Sequence, residues 1–181
     1  MSNPSLVIVL LEDDRQKMLV YRYLTKRGLN GHGITIKKSG GGSAEQWVRR
    51  QFSREVVAYR NRQARAKSAL IVVVDADTHT VEQRLQQLEQ VLEDARQQAI
   101  GASEHVARLV PKRNVETWIL CLNEHSVNEA TDYKRASHDW NTLIPTAAEV
   151  LHEWAQSDAE LPNHCIDSLR RGVRELKRLS F

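Results

Sequence analysis

The chain has few of the features that mark secreted, membrane-spanning or zinc-binding proteins. Its 181 residues include only two cysteines, Cys121 and Cys165, which form neither a Cys-x-x-Cys pair nor a disulfide framework. No apolar run is long enough to cross a bilayer, and the first one, residues 6–11, ends in acids instead of continuing as a signal peptide. We therefore expect a cytoplasmic protein in a reducing compartment, with no membrane partner.

A strong charge of one sign is also missing. The 26 basic and 23 acidic residues leave a formal charge of +3, too small to indicate a polyanionic partner by itself. The glycine triplet at 40–42 is not followed by the Lys-Ser/Thr of a phosphate-binding P-loop, so we interpret it as a mobile loop. The length fits one domain with a full core, or one domain plus a helical extension.

What the sequence does contain is an alternation of strand-like and helix-like segments. Residues 6–11 and 70–74 are runs of branched apolar residues typical of strands buried on both faces, and 33–37 and 105–110 are two further strand candidates. This alternation predicts an α/β fold with a four-stranded parallel sheet, Rossmann-like, flanked by helices. We assign residues 1–123 to that α/β domain, and residues 124–181 to a helical C-terminal extension packed on it.

Helix-starting and helix-stopping residues bound the helical segments. Thr78 or Thr80 is expected to cap the third helix, and Gly101 to end it. Two C-terminal helices are predicted over residues 145–156 and 165–179.

Two of the predicted helices carry basic faces. On the long second helix these residues are Arg49, Arg50, Arg54, Arg60, Arg62, Arg65 and Lys67; on the last helix they are Arg170, Arg171, Arg174, Lys177 and Arg178. Charge runs usually mark a solvated face, but the first face could follow a nucleic-acid backbone and the second could dock a partner protein.

Acidic residues follow the strands. Glu12 comes directly after the first strand, and Asp75 and Asp77 come after the buried third one, where an extended backbone would point both to the same side. Because the carboxyl ends of parallel strands share one edge of the sheet, we expect Glu12 to lie beside them. Glu116, just beyond the fourth strand, reaches the same edge. The structural alternative is that acids such as Asp13 or Asp77 cap the following helices.

Clustered carboxylates repel one another unless a cation or a shared proton offsets the charge. Carboxylate oxygens, without cysteine ligands or a spaced histidine pair, suit Mg²⁺ or Mn²⁺. We predict that this metal binds at Glu12, Asp75 and Asp77. Lys112 or Arg113, in the segment after the fourth strand, could hold a phosphate. The candidate catalytic residues are Glu12, Asp75, Asp77, Glu116 and Lys112.

The acidic strand ends resemble the Toprim domain of topoisomerases, bacterial primases and overcoming-lysogeny-type nucleases. Residues 7–12 (Val-Ile-Val-Leu-Leu-Glu) and 72–77 (Val-Val-Val-Asp-Ala-Asp) carry the resemblance. Residues 111–118 (Pro-Lys-Arg-Asn-Val-Glu-Thr-Trp) are similar to a stretch in small stand-alone Toprim-like proteins of mobile-element and defence loci. The resemblance implies Mg²⁺ bound by the two aspartates, and Glu12 as a ligand or as a general acid/base.

The chain departs from the Toprim nuclease pattern after the glutamate. A glycine usually follows it, with an aspartate four positions on; here these positions hold Asp13 and Gln16, so Asp13 or Asp14 are candidates for the missing ligand. No tyrosine nucleophile module, zinc ribbon or nucleotide-hydrolysing domain accompanies the motif, which argues against a topoisomerase or a complete primase. The resemblance implies a nuclease acting on DNA or RNA, alone or with a separate partner such as an ATPase.

Two other functions are compatible with the same acids. In a phospho-receiver module Asp13 would help bind Mg²⁺ and Asp75 would accept phosphate, but Asp75 lies 62 residues after Asp13, whereas a compact βαβαβ unit needs about forty to fifty. In a non-catalytic partner subunit the acids would be vestigial or would bind metal structurally.

Overall fold

The computed structural model describes residues 4–179, which form four strands and six α-helices. The strands are β1 (Leu6–Leu11), β2 (Ile34–Lys38), β3 (Ser68–Val73) and β4 (Val106–Leu109). The helices are α1 (Asp14–Lys26), α2 (Ala44–Gln63), α3 (Val81–Asp94), α4 (Val115–Leu122), α5 (Trp140–Trp154) and α6 (Asp167–Lys177). The predicted α/β class is confirmed. No helix in this described part of the chain is long and apolar enough to span a membrane.

All four strands are parallel, in the order β2-β1-β3-β4. In register, Val9 of β1 lies opposite Ile36 of β2 and Ile71 of β3. The chain runs outward from β1 to β2, then crosses back over β1 to β3 and continues to β4. The direction of winding therefore reverses between β1 and β3. In open α/β sheets a reversal of this kind opens a crevice at the carboxyl ends of the two strands.

Helices cover both faces of the sheet, as buried parallel strands require. Val7, Val9 and Leu11 of β1 belong to one hydrophobic cluster with residues of α1, α4, α5 and α6. Ile8 and Leu10 belong to a second cluster with residues of α2 and α3. The alternation along β1 thus separates two helical layers, and the two C-terminal helices share a core with α1 and α4.

The third helix is shorter than predicted. Thr80 caps it through a reciprocal capping box with Gln83, but it ends at Asp94 and not at Gly101. Leu92 is the last residue on its buried face, and the backbone turns at Arg96, which has φ 55°. Beyond the turn, the Arg60 guanidinium donates hydrogen bonds to the carbonyls of residues 98 and 99. These contacts hold the segment in an irregular conformation.

The bounds of the last two helices also differ from the prediction. The fifth begins at Trp140 and not at Pro145, because Asp139 caps an earlier turn by accepting hydrogen bonds from the backbone and hydroxyl of Thr142. Pro145 lies inside the helix, where it lacks the N–H that would bond to the carbonyl of the preceding turn. The sixth helix is confined to Asp167–Lys177, within the predicted 165–179.

A close approach between α6 and α4 depends on one glycine. A Cβ atom added at Gly172 would overlap the six-membered ring of Trp118, lying 2.9 Å from Cζ3. The ring cannot easily move, since Trp118 is 1% exposed and its Nε1–H donates a 2.7 Å hydrogen bond to Ser168 Oγ on α6.

We therefore expect Gly172→Ala to destabilise the protein by about 1–3 kcal/mol, since overpacking outweighs the helix propensity of about 1 kcal/mol that alanine gains. Urea unfolding followed by circular dichroism measures the loss. Gly40→Ala is the control, because a Cβ at Gly40 would meet nothing within 4 Å. Equal stability of the two variants would contradict the packing described for α6.

Candidate functional site

The first acids of the site come from the ends of the two central strands. Beyond β3 the chain stays paired with its neighbour, since the N–H of Val74 donates to the carbonyl of Leu109 and that of Ala76 to the carbonyl of Pro111. The backbone N–H of Asp75 donates a 2.6 Å hydrogen bond to Glu12 Oε1. The predicted proximity of Glu12 and Asp75 at the carboxyl edge is confirmed.

Gln16 connects these two strand ends. It is fully buried in the first turn of α1, where its backbone N–H donates to the capping carboxylate of Asp13 at 3.0 Å. Its side-chain Oε1 accepts from the N–H of Glu12 at 2.8 Å, and its Nε2 donates to Asp75 Oδ1 at 3.0 Å. The position where Toprim nucleases usually have an aspartate therefore holds a neutral amide that satisfies one oxygen of Asp75.

Glu116 reaches the same edge from the first turn of α4, as predicted. It is fully buried, and its Oε1 lies 2.5 Å from Nη1 of Arg15, which is on α1. The same Arg15 nitrogen donates to the backbone carbonyl of Lys134 at 2.9 Å. We refer to Glu12, Asp13, Asp75 and Glu116 as the acid cluster.

Asp77 lies in a different environment from Asp75. The prediction that both aspartates point to the same side assumed an extended backbone. Asp77 has φ 52°, so the extended backbone ends before it. The Asp77 side chain is 55% exposed, with Oδ2 3.8 Å from Nη2 of Arg84, whereas Asp75 is 1% exposed. Asp77 is still close enough for its charge to contribute to the raised pKa of Glu12. Its role as a metal ligand stays a prediction.

A lysine from the segment between α4 and α5 faces the acid cluster. Nζ of Lys134 lies 3.7 Å from Asp13 Oδ2. Partial burial lowers the pKa of Lys134, but the charges of the four acid-cluster carboxylates outweigh this effect, and the pKa lies above its ordinary value. Asp132 holds the lysine backbone, accepting from its N–H at 2.9 Å. Asp132 also accepts from the side-chain amide of Asn114 at 2.6 Å, while Asn114 Oδ1 accepts from the hydroxyl of Thr117 and not from a backbone N–H of α4.

These cations compensate the acid cluster only in part. Burial raises the pKa of Asp75 well above its usual range, and the charges of Glu12, Asp13 and Glu116 raise it further. Burial also raises the pKa of Glu12 to about 7, against the opposing effect of the hydrogen bond from Asp75. Two buried oxygens, Asp75 Oδ2 and Glu116 Oε2, have no hydrogen-bond partner. Buried acceptors without a partner are costly and point to an additional ligand, a proton or a cation.

The donor atoms suit a hard divalent cation, since they are carboxylate oxygens and two of them are unpartnered. As the side chains stand, however, no group of three or more His, Cys, Asp or Glu residues within residues 4–179 is positioned to hold a metal ion. Arg15 and Lys134 carry the positive charge at the cluster instead. The chemistry fits Mg²⁺ or Mn²⁺, and binding would require side chains of the cluster to move.

Lys112 does not point into the acid cluster. Its ammonium donates to the backbone carbonyl of His79, at the turn before α3. Arg113 follows it in the left-handed region, with φ 68°, and its carbonyl accepts from the N–H of Asp77 at 3.1 Å. Both basic residues line a cavity beside the site.

Sequence reasoning missed three residues of the site. Gln16 had a local signal, because it lies three residues after a helix-capping aspartate at the predicted edge of the sheet. Arg15 and Lys134 had none: Arg15 is one of many charged helix residues, and Lys134 lies in a polar segment without periodicity.

Comparison with protein-family models, curated proteins and solved structures finds no match to this chain. The fold and the site define its class: a Rossmann-like α/β protein with buried carboxylates at the topological switch point.

The raised pKa of Glu12 predicts how stability depends on pH. The folded state retains a proton that the unfolded chain loses near pH 4.5, so ionisation of Glu12 costs stability as the pH rises from about 4.5 to about 7. The cost is on the order of 3 kcal/mol. Glu12→Gln should therefore lose less stability than the wild type between pH 5 and pH 8 when melting temperatures are measured in EDTA.

Glu93→Gln removes an exposed carboxylate of α3 and is the matched control. We expect this variant to follow the wild-type pH dependence. A Glu12→Gln variant that also follows it would contradict the assignment of the raised pKa to Glu12.

Proposed function

We propose that the protein is a Mg²⁺-dependent nuclease of the Toprim type that hydrolyses phosphodiester bonds in DNA or RNA. One observation carries the proposal: Asp75 is buried at the switch point with Oδ2 unpartnered, beside Glu12 and Glu116. This is the edge of a parallel sheet where ligands bind. A buried carboxylate oxygen without a hydrogen-bond partner is an atom to which a metal ion could bind.

Glu12, Asp75 and Asp77 are the residues that would hold the ion, with Asp13 and Glu116 next to them. A divalent ion at this position supplies a water of lowered pKa and neutralises phosphate charge. Arg15 and Lys134 contribute the cations that limit repulsion between the carboxylates and an incoming phosphate. Lys112 lines the neighbouring cavity, and its ammonium would have to release the His79 carbonyl to contact the phosphate backbone.

Glu12 has two compatible roles. Its carboxylate can serve as a ligand, or it can act as a general acid/base, because a group with a pKa near 7 exchanges protons readily at neutral pH. The hydrogen bond from the Asp75 N–H holds the Glu12 carboxylate next to Asp75.

The proposal predicts metal-dependent cleavage that requires Asp75. Purified protein should cut plasmid DNA, single-stranded DNA or RNA in Mg²⁺ or Mn²⁺ and not in EDTA. Asp75→Asn keeps the shape of the side chain and an acceptor for Gln16, but it removes the charge, so we expect the cleavage rate to fall by about 10²-fold or more.

The matched control is Asp94→Asn. Asp94 is exposed at the C-terminal end of α3, and a crossover helix of a parallel sheet ends at the amino edge, opposite the acid cluster. We expect full activity from this variant. An unchanged cleavage rate in Asp75→Asn would contradict a role of the acid cluster in the reaction.

A second candidate is a non-catalytic subunit of Toprim-like fold, and the internal cations favour it. Arg15 and Lys134 already compensate part of the charge of the acid cluster. A folded wild-type protein that cleaves none of the three substrates with either metal would favour this candidate. In both candidates we place the protein in the cytoplasm, as a defence-type protein working alone or with a separate partner such as an ATPase.

A further inference from the structure

A cavity of about 700 Å³ lies beside the acid cluster, between the start of α3, the segment joining β4 to α4, and α6. Its volume is in the range of small-ligand pockets, about 300–1,000 Å³. Four basic residues line it: Lys112, Arg113, Arg171 and Arg174.

The basic residues of α6 and of its C-cap, Arg178, divide into two groups. Arg170 donates to the carbonyls of Pro162 and Cys165, Lys177 donates to the carbonyl of Ala159, and Arg178 pairs with Glu175 at 3.0 Å. These three hold the chain's own backbone and side chains together. Arg171 and Arg174 lie on the cavity side and are exposed, so the helix directs these two cations into the cavity.

The three acids that line the cavity, Glu82, Glu129 and Asp167, offset only part of the charge of its four basic residues. Glu129 accepts a 2.9 Å hydrogen bond from the N–H of Ser168 in the first turn of α6, which commits one of its oxygens. Glu82 lies 3.9 Å from Arg171, and both side chains are well exposed, at 76% and 47%. An exposed pair at this distance is weak, and a phosphate can displace it.

The cavity and the acid cluster are joined through the backbone. The carbonyl of Arg113, which lines the cavity, accepts the N–H of Asp77, two residues after the buried Asp75. Residues 111–113 therefore lie between the cavity and the strand end that carries Asp75 and Asp77.

We propose that this cavity binds a phosphate-bearing nucleotide of the substrate strand, adjacent to the bond at the acid cluster. Arginine suits this role, because its planar guanidinium matches phosphate oxygens with two parallel hydrogen bonds. The carboxylates of Glu82 and Asp167, at the rim, can accept hydrogen bonds from ribose hydroxyls or exocyclic amines. The inference rests on the proposed nuclease function, for which it names the substrate-binding surface.

Binding measured without cleavage tests the inference. Fluorescence anisotropy of labelled single-stranded DNA and RNA is recorded in EDTA with the wild type and with the double variant Arg171→Gln/Arg174→Gln. We expect the Kd of the double variant to rise at least tenfold, and the slope of log K against log salt to become shallower by about 0.7 for each lost phosphate contact.

The matched control is Arg22→Gln/Arg96→Gln. It removes the same charge from two exposed residues that belong to neither basic face, one on α1 and one just beyond the end of α3. We expect this variant to bind like the wild type. Equal weakening by both double variants, weakening by the control alone, or no binding by the wild type would each overturn the cavity as the binding surface. Competition by a nucleoside monophosphate more than by inorganic phosphate would support a nucleotide site.

The two proposals fail separately. If wild-type binding depends on Arg171 and Arg174 but no cleavage occurs in Mg²⁺, the cavity is supported as a binding site and the nuclease activity is ruled out. If cleavage depends on metal but the double variant binds like the wild type, the nuclease activity is supported and the cavity is ruled out as the binding site.

Discussion

The rest of the site depends on how the charge of buried carboxylates is compensated. Asp75 and Glu116 are 1% and 0% exposed, and taking an ion out of water costs several kcal/mol unless partners replace the solvent. The partners come from distant parts of the chain: Gln16 and Arg15 from α1, and Lys134 from the segment before α5. The acid cluster thus connects the sheet edge to α1, α4 and the segment before α5. A shift of these elements would separate buried carboxylates from the groups that compensate them.

The topology explains why the acids meet at all. Winding reverses between β1 and β3, so no crossover covers the carboxyl ends of this strand pair. Glu12 follows β1 and Asp75 follows the end of β3 at this edge. The backbone N–H of Asp75 donates a hydrogen bond to the Glu12 carboxylate. The cavity lined by Arg171 and Arg174 lies further along the same edge, beyond β3 and beside β4. One edge of the sheet therefore presents the acid cluster and the cavity lined by basic residues, the arrangement on which the proposed nucleic-acid binding rests.

The sequence was sufficient to predict the sheet, because its strands are short branched apolar runs and each is followed by a helical period. The meeting of Glu12, Asp75 and Glu116 followed from parallel topology alone. Other features depend on contacts that no local pattern records. The third helix ends at a turn in which Arg96 has φ 55° and the N–H of Gln97 donates to the carbonyl of Leu92. Asp77, with φ 52°, is likewise outside the extended conformation. Lys134 enters the site from a segment without periodicity, so only tertiary structure reveals it.

The divalent cation that we propose would replace part of the internal charge compensation of the acid cluster. A crystal grown with Mn²⁺ and measured at the manganese absorption edge would reveal this ion. We expect an anomalous peak in coordination contact with Asp75 Oδ2, with Lys134 Nζ moved away from the carboxylates. A structure at saturating Mn²⁺ with no peak near Asp75, and with Lys134 still among the carboxylates, would rule out the proposed metal site.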